Sequence, residues 1–375
     1  MARFSLRSLG LAAAAPVGAV IIAAAISSIV LMITGHSPVD AAIGMWSGLG
    51  KTRIQISAIN NAGAYYLAAV AVAIGFKMNL LNIGVEGQYT LAAMIAAAFA
   101  GARWLGDVPG VLRVVLTFLV AILVGAAWAG IAVVLKVTRG VSEVISTIML
   151  NSIAGALIAY LMVPGRMAIL DGNLKHTVDI PNDGLVGAIS ISGSTTPLYT
   201  LTLVAVVVGI AYALLLNRTV FGFSLRATGL NPAAAIASGI GAKKMAITAM
   251  LISGGVAGLV GMAELLNGGA HHYSQEFPTG YGIMGIAIAL LGRNSPIGMA
   301  LAALLWSFLG GVSNSLQSKH IPKELVTIMQ GLIVLCVVIA YEVVRRYKIR
   351  LEQREVARAL SDSPGSDLAE AGVTA

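Results

Sequence analysis

The sequence predicts an all-α polytopic membrane protein with about ten transmembrane helices, some broken or re-entrant, in two loosely repeated halves. Three observations predict it. Of 375 residues, 58% are hydrophobic and only 11% charged, against roughly 25% charge in soluble chains. Apolar runs of about twenty residues, long enough to cross about 30 Å of hydrocarbon, recur from end to end. Two of those runs are interrupted at comparable places by polar, glycine-bearing segments, which divides the pattern into similar halves.

The spans fall near 10–34, 54–75, 79–100, 111–135, 141–163, 197–216, 245–265, 280–292, 296–314 and 325–344. Arg3 and Arg7 precede the first, which is longer than the apolar core of a signal peptide and reads as an uncleaved helix. The eighth is short and begins in glycines, as a broken or re-entrant element does. Residues 1–350 form one transmembrane domain. The tail 351–375 is polar and rich in small residues, and reads as disordered after a short helical extension.

Lysine and arginine set the orientation. With the N-terminus inside, sixteen basic residues lie on the inner side and eight on the outer, which places both termini in the cytoplasm. Six of the sixteen come from the tail between Arg345 and Arg358. The net charge of +8 is thereby explained without nucleic acid, since no soluble basic domain is present to bind it. Cys336 is the single cysteine, which rules out an intramolecular disulfide and a cysteine-based metal cluster.

Two loops are long. The outer segment 164–196 carries Pro164, Asp171, Asp179, Pro181 and Asp183 and reads as an external cap. The inner segment 217–244 has four basic residues and no acid. Within it, a turn bearing Gly229 leads to Asn231-Pro232, an N-cap followed by proline at the first helical position, which predicts a short helix to Ser238. This segment reads either as a docking surface or as an ordinary basic loop.

The interruptions are "KMNLLNIGVEGQ" in 54–163 and "FPTGYGIMGIAIALLGRN" in 245–344. Paired interruptions of this kind point to a substrate pathway. Glu86 lies several residues into a span, where an ionisable group costs at least a few kcal/mol and so faces the bundle interior, a partner or water. Either it lines a pathway with Asn82 and Gln88, or it caps a half-helix N-terminus, and the two roles are compatible. Asn60 with Asn61, and Asn151 with Ser152, are further polar pairs that either bond across helices or meet a passing hydroxyl. A neutral polar lining suits a neutral, hydroxyl-bearing solute better than a phosphorylated one, which requires buried arginines.

Other motifs carry less. Gly254 to Gly258 contains a GxxxG that permits close helix approach. His271-His272 do not share a helical face and show no spaced partner, so they read as an outer loop and not as a metal site. "GLGKT" at Gly48–Thr52 lacks the first glycine of a nucleotide-binding loop, having Met45 there. No hydrolase, zinc-protease or kinase motif is found, so the chain reads as a transport protein that is not an enzyme and holds no cofactor.

"FKMNLLNIGVEGQYTLAAM", "STIMLNSIAGAL", "FGFSLRATGLNPAAAIASGI" and "FPTGYGIMGIAIALLGRNSPIGM", in that order, resemble the permeases of ABC importers in the ribose and branched-chain amino acid class, nucleoside-type (simple sugar) subgroup. The likeness covers about 54–344. It implies a bacterial inner-membrane subunit that forms the passage for nucleosides or simple sugars. It implies a separate cytoplasmic ATPase subunit, which binds the ATP and grips Arg226, Ala227, Thr228, Gly229, Leu230, Asn231 and Pro232. It also implies an external solute-binding protein and a second permease, with a heterodimer favoured over a homodimer, all within membrane lipid. The alternative is an ion-coupled secondary transporter of a neutral polar solute, with Glu86 as a proton site. A channel or membrane scaffold is a more distant alternative.

Overall fold

The computed structural model describes residues 6–268, 271–317 and 321–361. In chain order the helices are α1 (Leu6–Ile33), α2 (Pro38–Leu49), α3 (Thr52–Phe76), α4 (Val85–Ala100), α5 (Gly110–Arg139) and α6 (Glu143–Leu161). There follow α7 (Thr202–Arg218), α8 (Val220–Leu230), α9 (Pro232–Ala237), α10 (Ala242–Gly258), α11 (Met262–Asn267), α12 (Tyr281–Leu291), α13 (Pro296–Gln317) and α14 (Lys323–Ser361). Between α6 and α7 lie two antiparallel hairpins, β1 (Ala168–Asp171) with β2 (Leu174–Thr177), and β3 (Ala188–Ile189) with β4 (Leu198–Tyr199).

The chain divides into two compact units, 1–41 with 323–375, and 42–322. In the first, α1 packs along α14. Helix α14 runs through 351–361, the expected helical extension, and the rest of the tail lies outside the described residues. In the second unit α3 is the central post, with α7, α10, α12 and α13 around it. Every residue from Ala68 to Ala73 is fully buried, and the sequence there is apolar on all sides, as a fully surrounded helix must be.

Helix α5 shows the opposite pattern. Its buried stripe is Arg113, Thr117, Ala121, Gly125, Ala129, Ala132 and Val133, spaced close to four residues and made almost wholly of small side chains. The stripe faces α4 and α10. The other side leaves Leu112, Val115, Leu119 and Leu123 exposed, and α6 exposes Ile145, Ile148, Met149 and Ile153. Apolar faces this extensive are incompatible with water and match a hydrocarbon surround or a partner. The protein is a multi-pass membrane protein.

Among the described residues six helical stretches are long and apolar enough to cross a membrane, or seven when the bent α7–α8 pair counts as one. The ten expected spans therefore do not all appear as continuous crossing helices. The segment expected at 79–100 is helical only from Val85, because α3 ends in a turn with Asn79 left-handed at φ 57° and Met78 and Leu80 donating to Gly75 O. The segment expected at 245–265 does appear as one crossing stretch, Ala242–Asn267, with a short turn at 259–261 between α10 and α11. The eighth keeps only eleven helical residues, entered through Gly280 at φ 95°, which agrees with a broken element.

Helix α2 was not expected. Its signal was present: Ser37-Pro38 puts an N-cap hydroxyl before a first-turn proline, and Ser37 Oγ accepts from Asp40 N at 3.2 Å. Arg113, one of the eight basic residues counted on the outer side from the sequence, is 1% exposed and bonds Asp183 at 2.8 Å and Leu105 O at 2.7 Å. It ties the start of α5 to the segment that precedes the second hairpin.

The tightest helix contact is α5 against α10. A Cβ on Gly254 would lie 2.4 Å from both Gly125 O and the Ala129 methyl, and one on Gly258 would lie 2.0 Å from Ala121 O. The GxxxG thus works as close backbone packing. Gly254→Val should destabilise the chain beyond the ~1–3 kcal/mol usual for overpacking, because backbone itself blocks the methyls. Gly155→Ala, with nothing within 4 Å of the new atom, should leave the melting temperature in detergent within experimental error. Equal melting temperatures for both variants would overturn this packing assignment.

Candidate functional site

The two interrupted segments meet. Glu86 stands in the first turn of α4 and reaches the N-terminus of α12: Gly280 N donates to its Oε1 at 2.6 Å and Gly282 N to its Oε2 at 2.9 Å. The Tyr89 hydroxyl lies 3.1 Å from Glu86 Oε1 and 3.1 Å from Pro278 O, and shares its proton between them. Such contact is possible because Gly282 has no side chain; a Cβ there would sit 2.3 Å from Glu86 N. The free N–H groups of a helix start need acceptors, and inside an apolar bundle water does not provide them. The carboxylate provides them for α12, and sits favourably at the positive ends of two helix dipoles.

The start of α4 is satisfied in the same way. Asn151, on α6, accepts from Gly87 N at 2.9 Å and donates to Ile83 O at 3.0 Å. Asn82 accepts from Gly84 N at 3.1 Å and pairs reciprocally with the Gln88 amide at 2.9 and 3.0 Å. It also donates to Ser253 Oγ at 2.8 Å, and Ser253 donates to Ala71 O at 2.5 Å. One polar knot therefore joins α3, α4, α6, α10 and α12.

The other residues lie elsewhere. Asn60 serves the second hairpin: it donates to Pro197 O and accepts from Tyr199 N, both at 2.9 Å. Asn61 is half-buried beside it, and Ser152 is on the exposed side of α6. Of the seven residues expected along a pathway, Asn82, Glu86, Gln88 and Asn151 come together, and Asn60, Asn61 and Ser152 do not join them. Ser253, Tyr89 and Gly282 complete the knot. Gly282 was detectable only as part of the "TGYG" interruption, and Ser253 had no local signal.

A second cluster is built on 217–244. Helices α7 and α8 are bent by 73° about Thr219, whose hydroxyl accepts from Gly222 N at 3.0 Å. The expected short helix is present as α9: Asn231 Oδ1 accepts from Ala234 N at 3.0 Å and Pro232 stands in its first turn. Gly229, expected in a turn before that helix, belongs instead to α8, as do Arg226 to Thr228. The turn is supplied by Asn231 alone, extended at φ −153°.

The seven residues expected to meet an ATPase divide by face. Leu230, Asn231 and Pro232 are exposed, while Arg226, Ala227, Thr228 and Gly229 turn toward the body. Arg226 donates to Leu216 O. Gly229 presses on the α3–α4 turn so closely that a Cβ would be 2.2 Å from Lys77 O and 3.0 Å from Met78 Cα. Partial burial, and then the adjacent Arg226, lower the pKa of Lys77. The outward side carries Val220, Phe223, Leu230 and Ile236, all more than half exposed. These exposed apolar residues among cations fit a protein-binding surface, and sequence reading did not single out Val220, Phe223 or Ile236.

The Glu86 contacts give a graded expectation. Glu86→Ala orphans two backbone donors, at about 1–3 kcal/mol each, whereas Glu86→Gln keeps one acceptor oxygen. Thermal stability in detergent should fall in the order wild type, Gln, Ala. An alanine variant as stable as wild type would refute the capping role.

The chain matches the family model described as branched-chain amino acid transport system / permease component over residues 54–338. It is 32% identical over 332 residues to the guanosine ABC transporter permease protein NupP of Bacillus subtilis, covering 88% of this chain and 93% of that one. It is 29% identical over 331 residues to the nucleoside ABC transporter permease protein NupB of Lactococcus lactis, covering 87% and 90%. The glucose ABC transporter permease protein TsgB13 of Haloferax volcanii is 32% identical over 379 residues, at 95% of each. No solved structure matches the chain. The knot of broken helices and the bent α7–α8 arm thus lie within the matched region, and the chain belongs to the family of branched-chain amino acid transport system permease components.

Proposed function

We propose that this chain is the membrane-spanning subunit of a binding-protein-dependent ABC importer and forms the passage for a nucleoside or a simple sugar. The nucleoside and glucose permeases it resembles over nearly their full length support that substrate class. A separate cytoplasmic ATPase binds ATP, an external binding protein delivers the solute, and a second, unlike permease completes the passage. The subunit lies in the bacterial inner membrane with both termini inside. The neutral side chains Asn60, Asn61, Asn82, Gln88, Asn151 and Ser152, with Glu86, contribute to the passage or hold its walls.

The observation that carries the mechanism is the contact of Gly229 with Lys77 and Met78. The ATPase grips the exposed side of α8 and α9. Closure of the motor on ATP displaces the arm, and the arm pushes through Gly229 on the turn that ends α3 and precedes α4. Because α4 is joined to α12 through Glu86, the displacement reaches both broken helices together. Packed elements of this kind switch between discrete arrangements instead of deforming smoothly. The chain itself makes and breaks no covalent bond.

Two measurements test this. In vesicles holding the full complex, uptake of labelled nucleoside should require ATP and survive an uncoupler. Uptake that survives ATP depletion and collapses with the uncoupler would replace this reading with an ion-coupled carrier. Gly229→Val, which intrudes on the α3–α4 turn, should cut uptake by tenfold or more, on the order of 1.4 kcal/mol in coupling, while ATP hydrolysis and complex assembly persist. Unchanged uptake in that variant would remove the arm from the mechanism.

A further inference from the structure

The outer loop of the second unit brings together three metal-ligating side chains that are far apart in sequence. The segment after β2 runs beside 271–274: Thr177 N donates to Tyr273 O at 2.9 Å, Tyr273 N to Thr177 Oγ1 at 3.0 Å, and Ile180 N to His271 O at 2.9 Å. His176 and Ser274 form an isolated antiparallel bridge. The pairing lays the His176 and His272 rings 4.1 Å apart between centroids and turns both toward Asp179. Its carboxylate oxygen lies 2.9 Å from His272 Nδ1 and 3.3 Å from His176 Nδ1.

We propose that His176, Asp179 and His272 form a binding site for a divalent transition metal of the zinc type. The three ligand atoms lie within 4.8 Å of one another. Ligands at about 2.0–2.1 Å around a tetrahedral ion are about 3.3 Å apart; the His176 separation from Asp179 matches that edge, and the His272 separation, at 2.9 Å, is shorter and opens on binding. Two imidazoles and one carboxylate suit zinc, cobalt or nickel. They suit calcium and magnesium poorly, since those take oxygen, and they lack the thiolates that favour Cu(I). Three protein ligands leave one position for water or for a group from outside the chain.

The burial is graded as such a site requires. His176 is 5% exposed at its side chain and His272 15%, while Asp179, at 66%, opens the site to solvent. His176 Nδ1 also lies 2.8 Å from Thr177 O, a contact that a metal on that nitrogen would replace. The backbone is set for the arrangement: His271 is left-handed at φ 56°, a conformation uncommon for a side-chain-bearing residue. A metal there joins the first hairpin to the segment leading into α12. The sequence showed His271-His272 without a spaced partner; the fold supplies two, and the ligand from that pair is His272.

The rival account is a histidine–aspartate–histidine hydrogen-bond cluster with no affinity for metal. Tag-free full-length protein in detergent, stripped with chelator, distinguishes the two when titrated with zinc, and separately with cobalt. One saturable zinc site per chain is expected, with the visible bands of tetrahedral cobalt. His272→Ala and Asp179→Ala should each weaken zinc binding by at least about tenfold, and His36→Ala should leave it unchanged. Asp179 is exposed, so its variant remains informative if the histidine variant misfolds. Absence of saturable binding, or equal affinity in wild type and a monodisperse Asp179→Ala chain, would overturn the proposal.

Discussion

The structure depends on one constraint: a helix that ends inside an apolar bundle leaves backbone donors and acceptors that only the protein can satisfy. Helices α4 and α12 both begin away from a continuous span, and each exposes N–H groups at its start. Glu86, Asn82 and Asn151 meet those groups, and the acceptors come from helices other than the one that needs them wherever Glu86 and Asn151 are concerned. The breaks are consequently coupled. Neither half-helix is complete without a side chain from another element, so displacement of one reaches the rest through short bonds and not through a loose contact.

Glycine makes the arrangement possible by letting backbones approach. Apolar attraction between helices is weak in lipid, where the surround is as greasy as the interface, and close dispersion contact must substitute for it. The Gly254–Gly258 face of α10 against Ala121 and Gly125 of α5 is the firm seam. Gly282 against Glu86 and Gly229 against Lys77 are similar contacts at places where the chain is broken or bent. The same chemistry therefore serves both a rigid wall and the junctions that transmit motion in the proposed mechanism.

The α8–α9 arm has two faces of different character. Arg226 and Gly229 are directed at the body, whereas Val220, Phe223, Leu230 and Ile236 are presented outward. A substitution at Gly229 therefore acts on how the arm leans on the α3–α4 turn, whereas a substitution at Phe223 alters only the exposed face. The second hairpin and the segment before it have their own anchors, in the Asn60 amide and in Arg113 with Asp183, separate from the polar contacts of the arm.

The sequence by itself determined the membrane class, most helix positions, the Asn231-Pro232 helix start and the polar residues of the breaks. Run length, capping chemistry and the cost of a charge in hydrocarbon are local properties that can be read along one strand of text. Helix α2 was equally legible in Ser37-Pro38 and was passed over because its apolar run is too short to span. Only the tertiary structure decided which atoms complete which. Glu86 meets Gly280 and Gly282 across more than 190 residues, and His272 meets Asp179 across 93, because packing and not proximity in sequence sets those distances. It also decided that Arg226–Gly229 is helical and that Asn82 and Gln88 bond each other, since the donors left unpaired by a break are known only once its surroundings are folded.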